Sequence, residues 1–100
     1  MKEILSQLNG AFDHRNRLGI MAVLVSANDW FVYSSLKTTL DLTDGNLASH
    51  LKALETLEFI EVQKQFVNRK PQTTYRATDG GRLAFEAHLR GLENLMRGAA

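Results

Sequence analysis

The sequence predicts a mainly α-helical fold with a small antiparallel β-hairpin. It is an α+β chain in which helices precede and follow the hairpin in sequence. Leucines recur at helical spacing between Thr43 and Leu57, which predicts an amphipathic helix. Apolar residues then alternate from Ile60 to Phe66, and a basic loop leads to a returning strand. These two patterns, in this order, define the predicted fold.

Length and composition favour one compact domain. The chain has 100 residues and is 44% hydrophobic, which is enough for one core and too little for two. We expect a single domain over residues 1–100, with an N-terminal helix or arm at 1–12, a core at 13–78 and a C-terminal helix at 79–97.

The composition also excludes several classes of site and location. There is no cysteine, so the chain has no disulfide, thiolate zinc site or thiol nucleophile. The chain lacks an apolar run of the ~18 residues that span a bilayer, and its first ten residues lack the basic-then-apolar order of a secretion signal. We therefore expect a soluble, cytoplasmic protein with no membrane partner.

Charge is distributed unevenly along a nearly neutral chain. The net charge is +1, yet residues 1–61 carry five Lys or Arg against eight Asp or Glu. Residues 62–78 carry four bases and no acid, and residues 79–100 carry three of each. Positive charge is thus local to the predicted hairpin, as expected where one part of a surface meets phosphate.

Two helices are predicted before residue 30. The first is a short helix or arm with apolar residues at Ile4, Leu5 and Leu8. Asp13 can cap the second helix, whose buried stripe consists of Leu18, Met21, Leu24 and Val25. Arg15 and Arg17, in its first two turns, either form a solvated face or reach a DNA backbone.

A short strand and a third helix follow. The apolar run from Trp30 to Val32 predicts a third strand for the small sheet. Ser34 can cap the next helix, which places Leu36 and Leu40 on its inner side.

The next helix has a capped start and two distinct faces. Thr43 is a cap, and the charge of Asp44 suits the positive end of the helix dipole. The core-facing stripe consists of Leu47, Leu51, Leu54 and Leu57, and the opposite side of Gly45, Ser49, Lys52, Ala53 and Thr56. Small and polar residues allow a close approach to base edges, but they equally suit an ordinary surface helix. The helix alone leaves both interpretations open.

The predicted hairpin favours a polyanion more clearly. Ile60, Val62 and Phe66 alternate as one face of a strand, and Tyr75 with Ala77 returns inward. The loop between them is Asn68, Arg69, Lys70, Pro71 and Gln72. Lys64 interrupts the alternation, which indicates that this face leaves the core near the loop and meets a ligand or solvent. A merely charged surface is the alternative, but an acid-free run favours nucleic acid.

The last helix carries an apolar seam. Thr78 can cap it, and Phe85, Leu89, Leu92 and Met96 step by four, three and four residues. A terminal helix with excess apolar surface often pairs with a second copy, so we expect a homodimer. Packing wholly within the chain is the alternative.

No catalytic, metal or cofactor site is predicted. His14, His50 and His88 fall on three separate helices without an HxxxH pair. No nucleophile–base–acid set and no phosphate-binding glycine loop is present. We expect a protein that is not an enzyme and needs no cofactor.

These residues resemble a known family. LTDGNLASHL, a KP-containing wing and a TxxGR helix start (Thr78, Gly81, Arg82) together resemble the small single-domain winged helix-turn-helix transcriptional regulators related to the MarR and ArsR groups. The resemblance covers roughly Asp13 to the end. It implies a homodimeric, sequence-specific regulator of double-stranded DNA, expected to be a repressor, with N- and C-terminal dimerisation helices. The cysteine ligands of the metal-sensing relatives are missing, and a small-molecule effector is unknown.

The resemblance assigns Thr43 to Leu57 as the recognition helix and Val67 to Thr74 as the wing. The expected recognition-helix contacts are Thr43, Asp44, Gly45, Asn46, Ser49, His50 and Lys52, and the expected wing contacts are Lys64, Asn68, Arg69, Lys70, Gln72, Thr73 and Arg76. The expected dimer interface is Ile4, Leu5, Leu8, Phe85, Leu89, Leu92 and Met96. His50 is equally a packing residue by its position at the edge of the core stripe. The alternative function is a winged helix that binds another protein, since the fold alone does not decide function.

Overall fold

The computed structural model describes residues 2–12 and 14–98 and confirms a helical chain with a small antiparallel sheet. The elements are α1 (Lys2–Ser6), a 3-10 turn (Gly10–Phe12), α2 (Arg15–Ala27), β1 (Phe31–Val32), α3 (Tyr33–Leu40), α4 (Asp44–Thr56), β2 (Ile60–Val67), β3 (Lys70–Ala77) and α5 (Asp79–Met96). Within these ranges no helix is both long and apolar enough to cross a membrane.

The sheet has three antiparallel strands in the order β1-β3-β2. Phe31 of β1 lies opposite Tyr75, which confirms the predicted third strand. The hairpin pairs Ile60 with Ala77 at its base and Val67 with Lys70 at its tip. Since β1 has only two residues, the outer half of β3 has an open edge.

The core lies between the helices and the base of the hairpin. Its buried side chains are Phe12, Ile20, Met21, Leu24, Leu36, Leu47, Leu51, Leu54, Ile60 and Phe85. The predicted stripe of α4 is therefore buried as far as Leu54, whereas Leu57 lies beyond the helix end and is 46% exposed. Burial of the leucine stripe fixes which side of α4 faces solvent.

Helix caps follow the sequence at two of the four predicted positions. The Thr43 hydroxyl accepts the backbone N–H of Asn46 at 3.2 Å, and that of Thr78 accepts the N–H of Gly81 at 2.9 Å. The Ser34 cap is wrong, because β1 runs directly into α3 and Val32 occupies the cap position without a side-chain bond. Asp13 lies outside the described residues.

The start of α2 is capped by a histidine. His14 takes the cap position, and its Nδ1 lies 3.4 Å from the backbone N–H of Asn16. The helix ends at Ala27, where Asn28 adopts the left-handed conformation.

The hairpin turn is shorter than predicted. Asn68 and Arg69 alone form it, both with positive φ (52° and 65°), as in the two-residue turns that match the twist of a hairpin. The predicted five-residue loop is thus wrong, and Pro71 lies inside β3 opposite Phe66. Phe66, which shares a face of β2 with Ile60, is 78% exposed because the strands extend past the helices, as the interruption at Lys64 predicts.

Helix α1 packs along α5 within the same chain. The backbone N–H of Asn9 donates to Nδ1 of His88 at 3.0 Å, and the Asn94 amide donates to the Gln7 side chain at 3.2 Å. A Cβ at Gly91 would lie 2.9 Å from Cδ2 of Leu8, so α1 needs this glycine to approach α5 closely.

Candidate nucleic-acid interface

The solvent-facing side of α4 presents small and polar residues, as the leucine phase predicts. The exposed residues at and after its start are Thr43, Asp44, Gly45, Asn46, Ala48, Ser49 and Lys52. An added Cβ at Gly45 would meet nothing within 4 Å, so the surface there is open. This side of α4 can approach the edges of bases in a major groove.

Asp44 is engaged within the protein. Its carboxylate accepts the Tyr33 hydroxyl at 3.1 Å and the Lys37 ammonium at 3.0 Å. The hydrogen bond from Lys37, and then that from Tyr33, holds the pKa of Asp44 below its usual value. Burial, followed by the bond to Asp44, raises the pKa of Tyr33. Asp44 therefore joins the start of α3 to the start of α4, a role that the sequence did not reveal.

Tyr33 also lies beside the wing. Its ring centroid is 6.4 Å from that of Tyr75 in β3. A cleft of about 380 Å³ separates the start of α3 from the wing, and it is lined by Val32, Tyr33, Ser34, Val67, Lys70, Pro71, Gln72 and Thr73. The starts of α3 and α4 and the outer half of β3 thus lie on one side of the molecule.

The outer half of the hairpin is exposed and basic. Lys64, Arg69 and Lys70 all face solvent, and within residues 2–12 and 14–98 none of them lies within ion-pair distance of a carboxylate. Asn68 occupies the turn, and the Gln72 side-chain oxygen accepts the Gln65 amide at 3.4 Å. Unpaired cations on a projecting ribbon are available to phosphates.

Arg76 lies apart from these bases. It forms an ion pair with Glu61, and its guanidinium carbon is 4.4 Å from the centroid of the Trp30 ring. It lies six positions after Lys70 along β3, a distance of roughly 20 Å along a strand. Arg76 therefore belongs to the base of the hairpin, where Glu61 and Trp30 already engage its charge.

His50 is buried behind the exposed side of α4. It is 9% exposed, and its Nδ1 accepts Nε–H of Arg17 at 3.2 Å. The ring of His14 lies 4.3 Å from that of His50, although the sequence separates them widely. Burial, and then the charges of His14 and Arg17, lowers the pKa of His50. His50 thus faces α2, which makes it a packing residue of α4.

We expect acid to destabilise the protein through His50. Since the folded pKa lies below the ordinary histidine value of about 6.5, the unfolded chain binds the proton first. Stability is then lost as the pH falls through that value toward the folded pKa. Chemical unfolding between about pH 8 and about pH 5 should show this loss reduced in His50→Asn, which keeps an acceptor for Arg17 but does not titrate. Identical pH profiles for the two proteins would contradict the assignment.

No metal centre emerges from the described ranges. No group of three or more His, Cys, Asp or Glu residues in them is arranged to hold an ion. His14 and His50 come together, but His88 bonds to Asn9 beside α1 instead.

The predicted dimer seam divides between core and surface. Phe85 is buried inside its own chain at 6% exposure, and Ile4 and Leu8 are half-buried near α5. The apolar side chains that remain exposed on α1 and α5 are Leu5, Leu83, Leu89, Leu92 and Met96. The surface left for a partner is thus narrower than the sequence suggests.

Helices α2, α3 and α4 form a core, α4 exposes a polar side, and a basic hairpin follows it. This arrangement defines a winged-helix protein. The family described as winged helix DNA-binding domain matches residues 16–96, which run from α2 to the end of α5, and the chain belongs to this family.

Two proteins are similar to this chain over most of their length. The chain is 37% identical over 73 residues to an uncharacterized protein of Methanocaldococcus jannaschii, which covers 73% of this chain and 78% of that protein. It also resembles the structure of a transcriptional regulator homologue protein from Pyrococcus horikoshii OT3, with a TM-score of 0.84, 32% identity and coverage of 98% of this chain and 94% of the other.

Proposed function

We propose that this protein is a transcriptional regulator that binds duplex DNA sequence-specifically as a homodimer and acts as a repressor. The observation that carries the proposal is the placement of the exposed side of α4 and the acid-free wing on one side of the molecule, linked by Tyr33. Similarity to the Pyrococcus regulator homologue supports the regulatory role. The activity is binding, without catalysis.

In this proposal α4 enters the major groove. Asn46 and Ser49 supply donors and acceptors for base edges, and Gly45 allows the backbone close to them. Lys52 and Thr43 contact the sugar–phosphate backbone of the DNA. Asp44 and His50 act indirectly, since the first ties α4 to α3 and the second packs α4 on α2.

The wing contributes affinity with little sequence dependence. Lys64, Arg69 and Lys70 contact phosphates, and the polar side chains of Asn68, Gln72 and Thr73 supplement them. Arg76 is left out of this surface because Glu61 and Trp30 engage it. Arg17 lies near α4 and can add a backbone contact.

Two copies joined through α5 would place two recognition helices about one helical turn apart. The half-sites would then lie ~10 bp apart, and the operator would be an imperfect palindrome. A dimer bound across a promoter represses by occupying it. The near-neutral net charge of +1 predicts modest non-specific affinity, so specificity depends on both copies acting together.

The wing assignment predicts a change in salt dependence. The double change Arg69→Ala and Lys70→Ala should weaken binding to every duplex and lower the slope of log affinity against log salt by roughly 2, because each lost phosphate contact removes about 0.9. Affinity is measured by fluorescence anisotropy on random and selected duplexes from about 50 to about 200 mM salt.

Arg76→Ala is the matched control, since it removes from the same hairpin an arginine that Glu61 already engages. Its salt slope should equal that of the wild type. An unaltered slope in the double variant would reject the wing assignment. Absence of duplex binding by the wild type at low salt would reject DNA binding altogether and favour a protein-binding module.

A further inference from the structure

The tip of the wing carries an apolar pair. Phe66 is 78% exposed and lies opposite Pro71 in the hairpin register. Val67 and Lys70 close the two-residue turn as a hydrogen-bonded pair, so the next pair inward is a non-hydrogen-bonded one, in which the side chains are closest. The Pro71 nitrogen, which has no proton to donate, then points to the open edge of β3. Phe66 and Pro71 therefore form one apolar projection.

This projection lies on the same side of the sheet as the helices. Side chains alternate along a strand, so Phe66 shares its face with Lys64 and with Ile60, which is buried at 2% exposure in the helical core. The hairpin continues past the helical layer. The same face of the hairpin packs on α4 near the base of the hairpin and is uncovered near the tip. The Phe66 ring thus projects on the side of the sheet where α4 lies.

Cations surround this apolar pair. Lys64 precedes Phe66 by two residues on the same face, and Arg69 and Lys70 stand at the turn beside it. No acid occurs in residues 62–78. An apolar surface surrounded by positive charge can bind a polyanion that has an apolar interior. Duplex DNA is such a polyanion, because its stacked bases lie beneath its phosphates. A minor groove ~6 Å wide excludes a two-stranded ribbon but admits a side chain.

We propose that Phe66, supported by Pro71, is a wedge that enters the minor groove next to the groove occupied by α4 and partly unstacks one base step. Lys64, Arg69 and Lys70 hold the flanking phosphates while it does so. The wing then selects deformable pyrimidine–purine steps, at a position where no hydrogen bond to a base is made. This inference rests on the DNA-binding function proposed above.

The experiment compares the wild type with Phe66→Ala and Val67→Ala. Val67 is the matched control because it is a neighbouring, 41% exposed apolar residue on the opposite face of the same strand. Duplexes selected from a random pool are rebuilt with TA, CA, AA or GC at each step flanking the half-site. Binding is measured by anisotropy, and 2-aminopurine at the preferred step reports unstacking by its rise in fluorescence.

We expect the wild type and Val67→Ala to prefer a TA or CA step about tenfold over a stiff step and to raise the 2-aminopurine fluorescence. Phe66→Ala should lose both effects while keeping the salt slope of the wild type, since its cations are intact. Retention of both effects in Phe66→Ala, or their absence in the wild type, would overturn the wedge while leaving the salt-dependent binding in place. Failure of the wild type to bind any duplex would instead show that the proposed function itself is wrong.

Discussion

Replacing Gly81 by alanine should destabilise the fold more than any surface change in the chain, lowering the free energy of unfolding by roughly 1–3 kcal/mol or more. Gly81 is buried in the first turn of α5, and a Cβ there would lie 2.9 Å from the Cα of Phe59 and closer still to its carbonyl group. Backbone atoms cannot move aside as a flexible side chain can, so α5 must shift away from the start of β2.

The contact that Gly81 permits is a junction between two elements. The Thr78 backbone N–H donates to the carbonyl of Phe59 at 3.0 Å, and the Thr78 hydroxyl donates to the carbonyl of Glu58 at 2.7 Å. If α5 is displaced, these two hydrogen bonds between Thr78 and the segment before the hairpin are therefore lost as well. Each such bond contributes about 1 kcal/mol, which adds to the steric cost.

Gly80→Ala is the matched control for this prediction. A Cβ at Gly80 would meet only the Thr78 hydroxyl oxygen, at an ordinary 3.8 Å, and alanine favours a helix over glycine by about 1 kcal/mol. Urea unfolding should thus show Gly80→Ala equal to or more stable than the wild type. Equal destabilisation by the two substitutions would contradict the close approach of α5 to Phe59.

Features that depend on neighbours in sequence were predictable. The leucine phase of α4, the threonine caps at Thr43 and Thr78, and the third strand before Tyr33 all follow from local periodicity and hydrogen-bonding chemistry. The polar side of α4 follows as well, because burial of one helix face fixes the other.

Features that depend on where the core ends were predictable only in part. Alternation indicates that Ile60 and Phe66 share a face of β2, and Lys64 indicates that this face leaves the core, but neither shows how far the helices cover it. The same strand pattern suits a five-residue loop or a two-residue turn, since Lys70 and Pro71 can continue β3 when their outer edge is open.

Contacts across the fold were also beyond local patterns. Lys37 and Asp44 meet because the turn between α3 and α4 brings them together, and His14 meets His50 because α2 crosses behind α4. Through these contacts, two residues of the expected recognition set, Asp44 and His50, bond to side chains of neighbouring helices. Sequence spacing alone places Asp44 and His50 on α4 without showing what their side chains touch.

The exposed seam of α5 leads to the largest expected effect on DNA binding. Leu92→Glu should convert the proposed dimer into a monomer of 11.2 kDa, because a carboxylate cannot be buried against a second apolar helix without a large desolvation cost. Leu92 is 36% exposed and does not belong to the buried core cluster, so we expect the chain to fold with glutamate there. Sedimentation equilibrium gives the mass, and thermal unfolding verifies that the monomer is folded.

Loss of the dimer should lower the affinity for a palindromic operator on the order of 100-fold or more, since the second half-site is then no longer bound at high effective concentration. Affinity for an isolated half-site should remain unchanged, which separates loss of the partner from damage to α4 or the wing. Leu57→Glu is the control, as it adds the same charge at a leucine that is 46% exposed at the end of α4. A dimeric mass in Leu92→Glu would place the interface elsewhere. A monomeric wild type would show that α5 completes only its own core, and that two half-sites would have to be bound independently.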